Sequence, residues 1–135
     1  MGQLYPEVSR DHIEAGESHA PYNSNPPTSG PHYAQAADRD FYAHLLPDEQ
    51  VLHNLEHGEI WISYRSFVDQ ATRDELQAIQ GRHRGSVIVT LRDANDQNIC
   101  LASWTRLLCT DTLDVNTAES FIDANINLSP EPIAR

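Results

Sequence analysis

The sequence predicts an α+β domain: a small sheet of three or more strands, about three helices, and a long proline-rich irregular N-terminal segment wrapped over them. Three observations point there. Five of the eight prolines (Pro6, Pro21, Pro26, Pro27 and Pro31) fall in the first third of the chain, where no hydrophobic period is sustained. From Leu46 onward, helical and strand periods alternate. A hydrophobic content of 39% over 135 residues suits one globular domain of ordinary size, so residues 1–135 are expected to form a single domain, with 1–15 as a candidate peripheral tail.

Each proline in the first segment fixes φ and restricts its predecessor, so this stretch is rigid rather than linker-like. Its Tyr5, Tyr22, Tyr33, Phe41 and Tyr42 favour packing against the rest. Pro47-Asp48-Glu49 is an acidic, proline-led helix start, and Gly58 a stop, giving a helix over 48–57. Alternation at Ile60, Ile62 and Tyr64 gives a strand. Asp69 to Gln80 is a second helix, with Thr72 and Glu75 spaced as a capping box and Gly81 as its stop. Residues 86–92, SVIVTLR, form a β-branched strand, and the turn residues 93–98 lead back into a hairpin with the apolar run ICLASWTRLLC. Asn116 and Glu119 repeat the capping-box spacing and start a third helix that runs to about Asn125. Pro130-Glu131-Pro132 closes the chain in extended form.

Cys100 and Cys109 both lie in that apolar run. As a single strand its nine steps of ~3.3 Å would hold them roughly 30 Å apart and on opposite faces, so they are expected to be free buried thiols unless a sharp bend interrupts the run.

The chain carries 20 acidic residues against 9 basic ones, all arginine, for a net charge of −11. That balance argues against nucleic acid and anionic membrane surfaces as partners. No window approaches the ~20 apolar residues of a membrane helix, and the N-terminus lacks the apolar core of a signal peptide.

Seven histidines are an excess for such a chain. His53 and His57 are four apart, so on a helix both project from one face, about 5–6 Å apart, and could share one metal ion. Glu56 completes the pattern H-x-x-E-H, used by some zinc peptidases with the glutamate as general base. The alternative is that both histidines flank the helix end, where cations oppose the macrodipole. His19 and His32 bracket the stiff loop from Pro21 to Pro31, which loses little entropy on presenting a ligand. A Ser29/His32 nucleophile pair lacks an acidic third member and an oxyanion hole.

These residues resemble a family. Gly16-Glu17-Ser18-His19-Ala20-Pro21-Tyr22, Pro27-Thr28-Ser29-Gly30-Pro31-His32 and Val51-Leu52-His53-Asn54-Leu55-Glu56-His57-Gly58 look like signature blocks of the bacterial domain of unknown function DUF3105. Leu101 to Arg106, and Phe121-Ile122 before Ser129-Pro130-Glu131, resemble its tail. The likeness covers about residues 16–131 and implies an extracytoplasmic location, a cytoplasmic one being the alternative for a chain without a signal peptide. The cysteine pair departs from the family pattern. His19, His32, His53 and His57 lie inside matching motifs; His12, His44 and His83 do not and are expected to be exposed polar residues.

The expected function is therefore metal binding by His19, His32, His53 and His57, for sequestration or delivery of an ion. Imidazole donors without sulfur favour Cu(II) or Zn(II), and copper leads on raw affinity. Two alternatives stand: a metal-free structural or interaction domain, and a zinc-dependent hydrolase with Glu56 activating water.

Overall fold

In a computed structural model that describes residues 1–135, three helices and seven strands follow in the order β1 (Gln3–Leu4), β2 (His12–Ile13), β3 (His32–Tyr33), α1 (Asp48–Glu56), β4 (Ile60–Tyr64), α2 (Gln70–Arg82), β5 (Val87–Leu91), β6 (Ile99–Ser103), β7 (Arg106–Thr110) and α3 (Val115–Asn125). The class is α+β, as expected. The main sheet is mixed and five-stranded, in the order β1-β7-β6-β4-β5, and β2 and β3 form a separate parallel pair.

Side-chain alternation along β4 divides the molecule in two. Ile60, Ile62 and Tyr64 face a core completed by Leu76 and Ile79 of α2 and by Ala118, Phe121 and Ile122 of α3. Trp61 faces the other way, into a core with Val51, Leu52 and Leu55 of α1, together with Ile88, Cys100, Ala102 and Trp104. Each of β4's five residues is buried. Burial on both faces is the mark of a central strand.

That centrality overturns one expectation. β5 and β6 do not form a hairpin, because β4 lies between them, parallel to β5 and antiparallel to β6. Residues 92–98 instead cross the end of β4, held by the Arg92 amide on the Tyr64 carbonyl, the Asn95 side-chain amide on Ser63 Oγ, and the Arg65 amide on the Asn98 carbonyl. Arg92 is itself buried, forked onto both carboxylate oxygens of Asp48 at 2.9 and 2.8 Å. The turn is thereby tied to the start of α1.

The cysteine run is a second correction. It is not one strand but two, β6 and β7, folded at Trp104-Thr105, with Cys100 paired across to Cys109. The two form a disulfide with Cα atoms 4.1 Å apart, the spacing of the narrow, non-hydrogen-bonded pairs of an antiparallel ladder. Thr105 turns the corner at φ 67°, unusual for a β-branched residue, and neighbours fix it there. Its amide donates to the Thr28 carbonyl and its own carbonyl accepts from Tyr5. The bend comes from the N-terminal wrap, so no glycine or proline announced it.

Helix ends also differ in detail. α2 is capped by Asp69, whose side chain accepts from the Thr72 amide, rather than by Thr72, and it runs through Gly81 to Arg82. α3 is capped by Asp114, whose side chain accepts from Asn116 and Thr117. α1 ends at Glu56, one residue short of the expected 57, with Gly58 following at φ 90° as the stop; a Cβ there would stand 2.3 Å from Asn127 Oδ1. The close approach is made by the last ten residues, which return across the end of α1. Residues 1–15 are held as well, β1 on β7 and β2 on β3.

Replacing both Cys100 and Cys109 by serine is expected to lower unfolding free energy by about 2–3 kcal/mol, the constraint of a short closed loop. Urea unfolding of the double variant measures it, and thiol titration of the native protein should find no free cysteine.

Candidate metal centre

His53 and Glu56 are three residues apart on α1 and so share one face, with His57 next along the same stripe. That face packs on β3. Parallel pairing sets His12 opposite His32, and directly paired residues of neighbouring strands point to the same side. The two pairs meet. His12, His32, His53 and Glu56 each offer one donor atom, and all four atoms lie within 4.8 Å of one another. His32, His53 and Glu56 are buried, while the His12 side chain is half exposed and leaves one flank of the group open to solvent.

The hydrogen bonds around the rings decide which nitrogens face inward. A backbone carbonyl can only accept, so Nδ1 of His32 donates to the Gly30 carbonyl at 2.8 Å and Nδ1 of His53 donates to the Tyr33 carbonyl at 2.7 Å. Each ring, when neutral, is then left with a lone pair on Nε2. His32 Nε2 lies 3.2 Å from Glu56 Oε1, and His53 Nε2 lies 3.0 Å from His57 Nε2. Facing lone pairs repel, so each gap needs a proton or a cation. Two donors about 2.1 Å from a shared ion stand roughly 3.0 Å apart at a right angle and 3.4 Å at the tetrahedral angle. A ring nitrogen tied to a backbone carbonyl while its partner points at the ion is also the usual support of a metal-ligating histidine.

Burial pushes the His53 and His57 imidazoles below their ordinary pKa, which keeps both neutral and available. Burial alone would raise Glu56, but a hydrogen bond from Glu131 and the charge of His32 outweigh it and hold the carboxyl below its ordinary value. Three imidazoles and one carboxylate are thus geometrically able to hold a metal ion, without sulfur in the set.

Of the histidines singled out in the sequence, the structure brings His32 and His53 together and places His57 beside His53. His19 stands apart, with Nδ1 on the Ala20 carbonyl at 2.8 Å and Nε2 on Glu49 Oε2 at 3.1 Å, at the start of α1. His44 reaches only the neighbouring Leu45 carbonyl, and His83 binds Glu119, joining α2 to α3. His12 is the residue that sequence reasoning left among the incidental ones. It is exposed, as expected, but it belongs to the group. A two-residue strand is too short to show a period; the one local signal is that His12 and His32 are each followed by a residue, Ile13 or Tyr33, that turns to the opposite side.

The model of a family described as a protein of unknown function (DUF3105) matches residues 12–135. The chain belongs to the DUF3105 family. The match begins at His12, so this DUF3105 domain includes all four donors. No curated protein and no solved structure matches the chain.

The Ala20 carbonyl, and after it Glu49, hold the His19 pKa above its ordinary value. A raised histidine pKa stabilises the fold fully below the ordinary value of about 6.5 and loses that contribution as pH rises through the folded-state value. The Glu49→Gln variant should therefore lose roughly 0.2–1 kcal/mol more at about pH 5.5 than at about pH 9. Denaturant unfolding of variant and wild type at both pH values checks the sign.

Proposed function

We propose that this DUF3105 domain binds one divalent transition-metal ion through His12, His32, His53 and Glu56, and that it sequesters or delivers that ion outside the cytoplasm. The observation that carries the reading is that His12, His32, His53 and Glu56 each bring a donor atom within 4.8 Å of the others, while the Nδ1 atoms of His32 and His53 are tied to the Gly30 and Tyr33 carbonyls and leave Nε2 as the remaining nitrogen of each buried ring. Imidazole and carboxylate donors suit Cu(II) and Zn(II), and the affinity order places Cu(II) first, with zinc second. The Cys100–Cys109 disulfide supports an oxidising compartment. No helix is long and apolar enough to cross a membrane.

The position of Glu56 favours binding over hydrolysis. Its Oε1 is in contact with His32 and 3.7 Å from His12, inside the donor group, where a carboxylate that ligates the ion is not free to activate water. A metal-free structural role has an observation of its own, since both nitrogens of His32 and of His53 have partners without any ion.

Metal analysis of protein purified without a histidine tag, followed by Cu(II) and Zn(II) titration, separates these readings. One equivalent is expected to bind. The His32→Ala/His53→Ala variant should weaken binding by more than the roughly 10- to 100-fold of outer-shell changes, and His19→Ala should leave it unchanged. Absence of binding by the wild type, with a melting temperature indifferent to either metal, would establish the structural role instead.

A further inference from the structure

The main sheet ends at β1, which is shorter than the strand it pairs with. β1 covers Arg106 and Leu107 of β7 but not Leu108, Cys109 and Thr110. In an antiparallel ladder the hydrogen-bonded pairs recur at every second residue. The Tyr5 amide donates to the Thr105 carbonyl, so Gln3 with Leu107 is the next such pair, and Cys109 is next in line after it. The narrow Cys100–Cys109 spacing of 4.1 Å agrees, since it turns the Cys109 amide and carbonyl away from β6. The N-terminal chain does not reach them. It leaves the ladder at Gly2, with φ 91°, and passes to α3, where the Met1 carbonyl accepts from the Asn125 side chain at 3.0 Å. Cys109 thus presents one backbone donor and one acceptor along the sheet edge, the template on which another strand can pair.

Clefts flank this edge on both faces of the sheet. On the α1 side, a cleft of about 530 Å³ is lined by Tyr5, Leu107 and Cys109 and by Asp96 and Gln97 of the turn after β5. On the α3 side, one of about 350 Å³ is lined by Ile99, Leu101, Leu108 and Leu113, with Asp114 and Thr117 at the start of the helix. Paired residues share a face and successive ones alternate, so a strand added at Cys109 sets one side chain in the first cleft and the next in the second. Neither lining contains an arginine or a histidine, and each contains a carboxylate, Asp96 or Asp114.

We propose that the Cys109 edge of β7 takes an extended segment of a partner protein by strand addition, with a basic side chain opposite Cys109 and an apolar one beside it. The partner's backbone exchanges two hydrogen bonds with Cys109. The stem of its arginine or lysine lies along Tyr5 and Leu107 with the head at Asp96, and the apolar side chain enters the cleft at Leu108 and Leu113. A net charge of −11 favours the approach of such a segment. A second copy fits less well: antiparallel pairing of Cys109 with its counterpart would set residue 111 of one copy against Leu107 of the other, the place Gln3 already holds.

The probe is a short peptide, blocked at both ends, that alternates arginine and valine, added to the full chain. Hydrogen exchange at the Cys109 amide should be fast in the chain alone and slow by roughly tenfold or more with the peptide bound. Methylating the peptide nitrogen that faces the Cys109 carbonyl should weaken binding at least roughly tenfold. Glutamate in place of arginine should abolish binding, and Asp96→Asn should weaken the arginine peptide about two- to fivefold with the melting temperature unchanged. No protection at Cys109, equal affinity of the methylated peptide, or equal affinity of the glutamate peptide would overturn the proposal. So would a protected Cys109 amide in the chain alone together with a dimer in sedimentation, which would assign the edge to a second copy.

Discussion

Residues 8–13 are fastened to residues 29–33 by a short series of backbone-directed hydrogen bonds. The Val8 amide donates to Ser29 Oγ, the Gly30 amide to the Ser9 carbonyl, and the His32 amide to the Asp11 carbonyl. Each is worth only about 1 kcal/mol net, and together they hold closed a loop of some twenty residues that would otherwise cost several kcal/mol of chain entropy. The prolines between Pro21 and Pro31 reduce that cost by removing alternatives from the unfolded chain. What depends on this fastening is considerable. It places His12 opposite His32, brings the Gly30 carbonyl under the His32 ring, and leaves Thr28 and Tyr5 positioned to grip the β6-β7 turn.

The sheet keeps stability and chemistry on opposite faces. Against α2 and α3 it presents a continuous aliphatic and aromatic layer with no histidine in it. Against α1 and the wrap it presents Trp61, Trp104 and the disulfide, and this layer carries the donor group on its outer side. Trp104 links the two, standing edge-on to His32 with ring centres 6.1 Å apart while its indole N–H donates to Glu7 at 2.8 Å. An imidazole packed against a rigid indole loses orientational freedom, and the His32 ring is held with Nε2 toward Glu56.

Legibility from the sequence followed the range of the interactions involved. α1, β4, α2, β5 and α3 were readable because period, caps and stop residues act within a few positions. The β6-β7 turn was not, since Thr105 is held at positive φ by Tyr5 and Thr28, partners 100 and 77 positions away. For the same reason the cysteines looked far apart while being neighbours. In the candidate centre, His53 and Glu56 announced themselves by helical spacing. His12 depended on a two-residue pairing that leaves no pattern, and His19 looked equivalent to His32 because both flank the same stiff loop. Only the fold separates them, one ring turned toward Glu49 and the other toward Glu56.

The end of α1 adds an electrostatic reason for the group to be where it is. The C-terminal end of a helix carries partial negative charge and favours a cation nearby, by about 0.3–1 kcal/mol when exposed. The last turn of α1 holds His53 and Glu56, and the carbonyls of Glu56 and His57 accept from the backbone amides of Glu131, Ile133 and Ala134. Those bonds satisfy the carbonyls and exclude solvent at the same time, which lowers the local screening of the Glu56 charge. The net charge of −11 acts in the same direction over longer distance, raising the local concentration of cations while keeping polyanions away. A general property of the chain and a local property of one helix end therefore both favour a cation beside this group, whose His12 side is open to solvent.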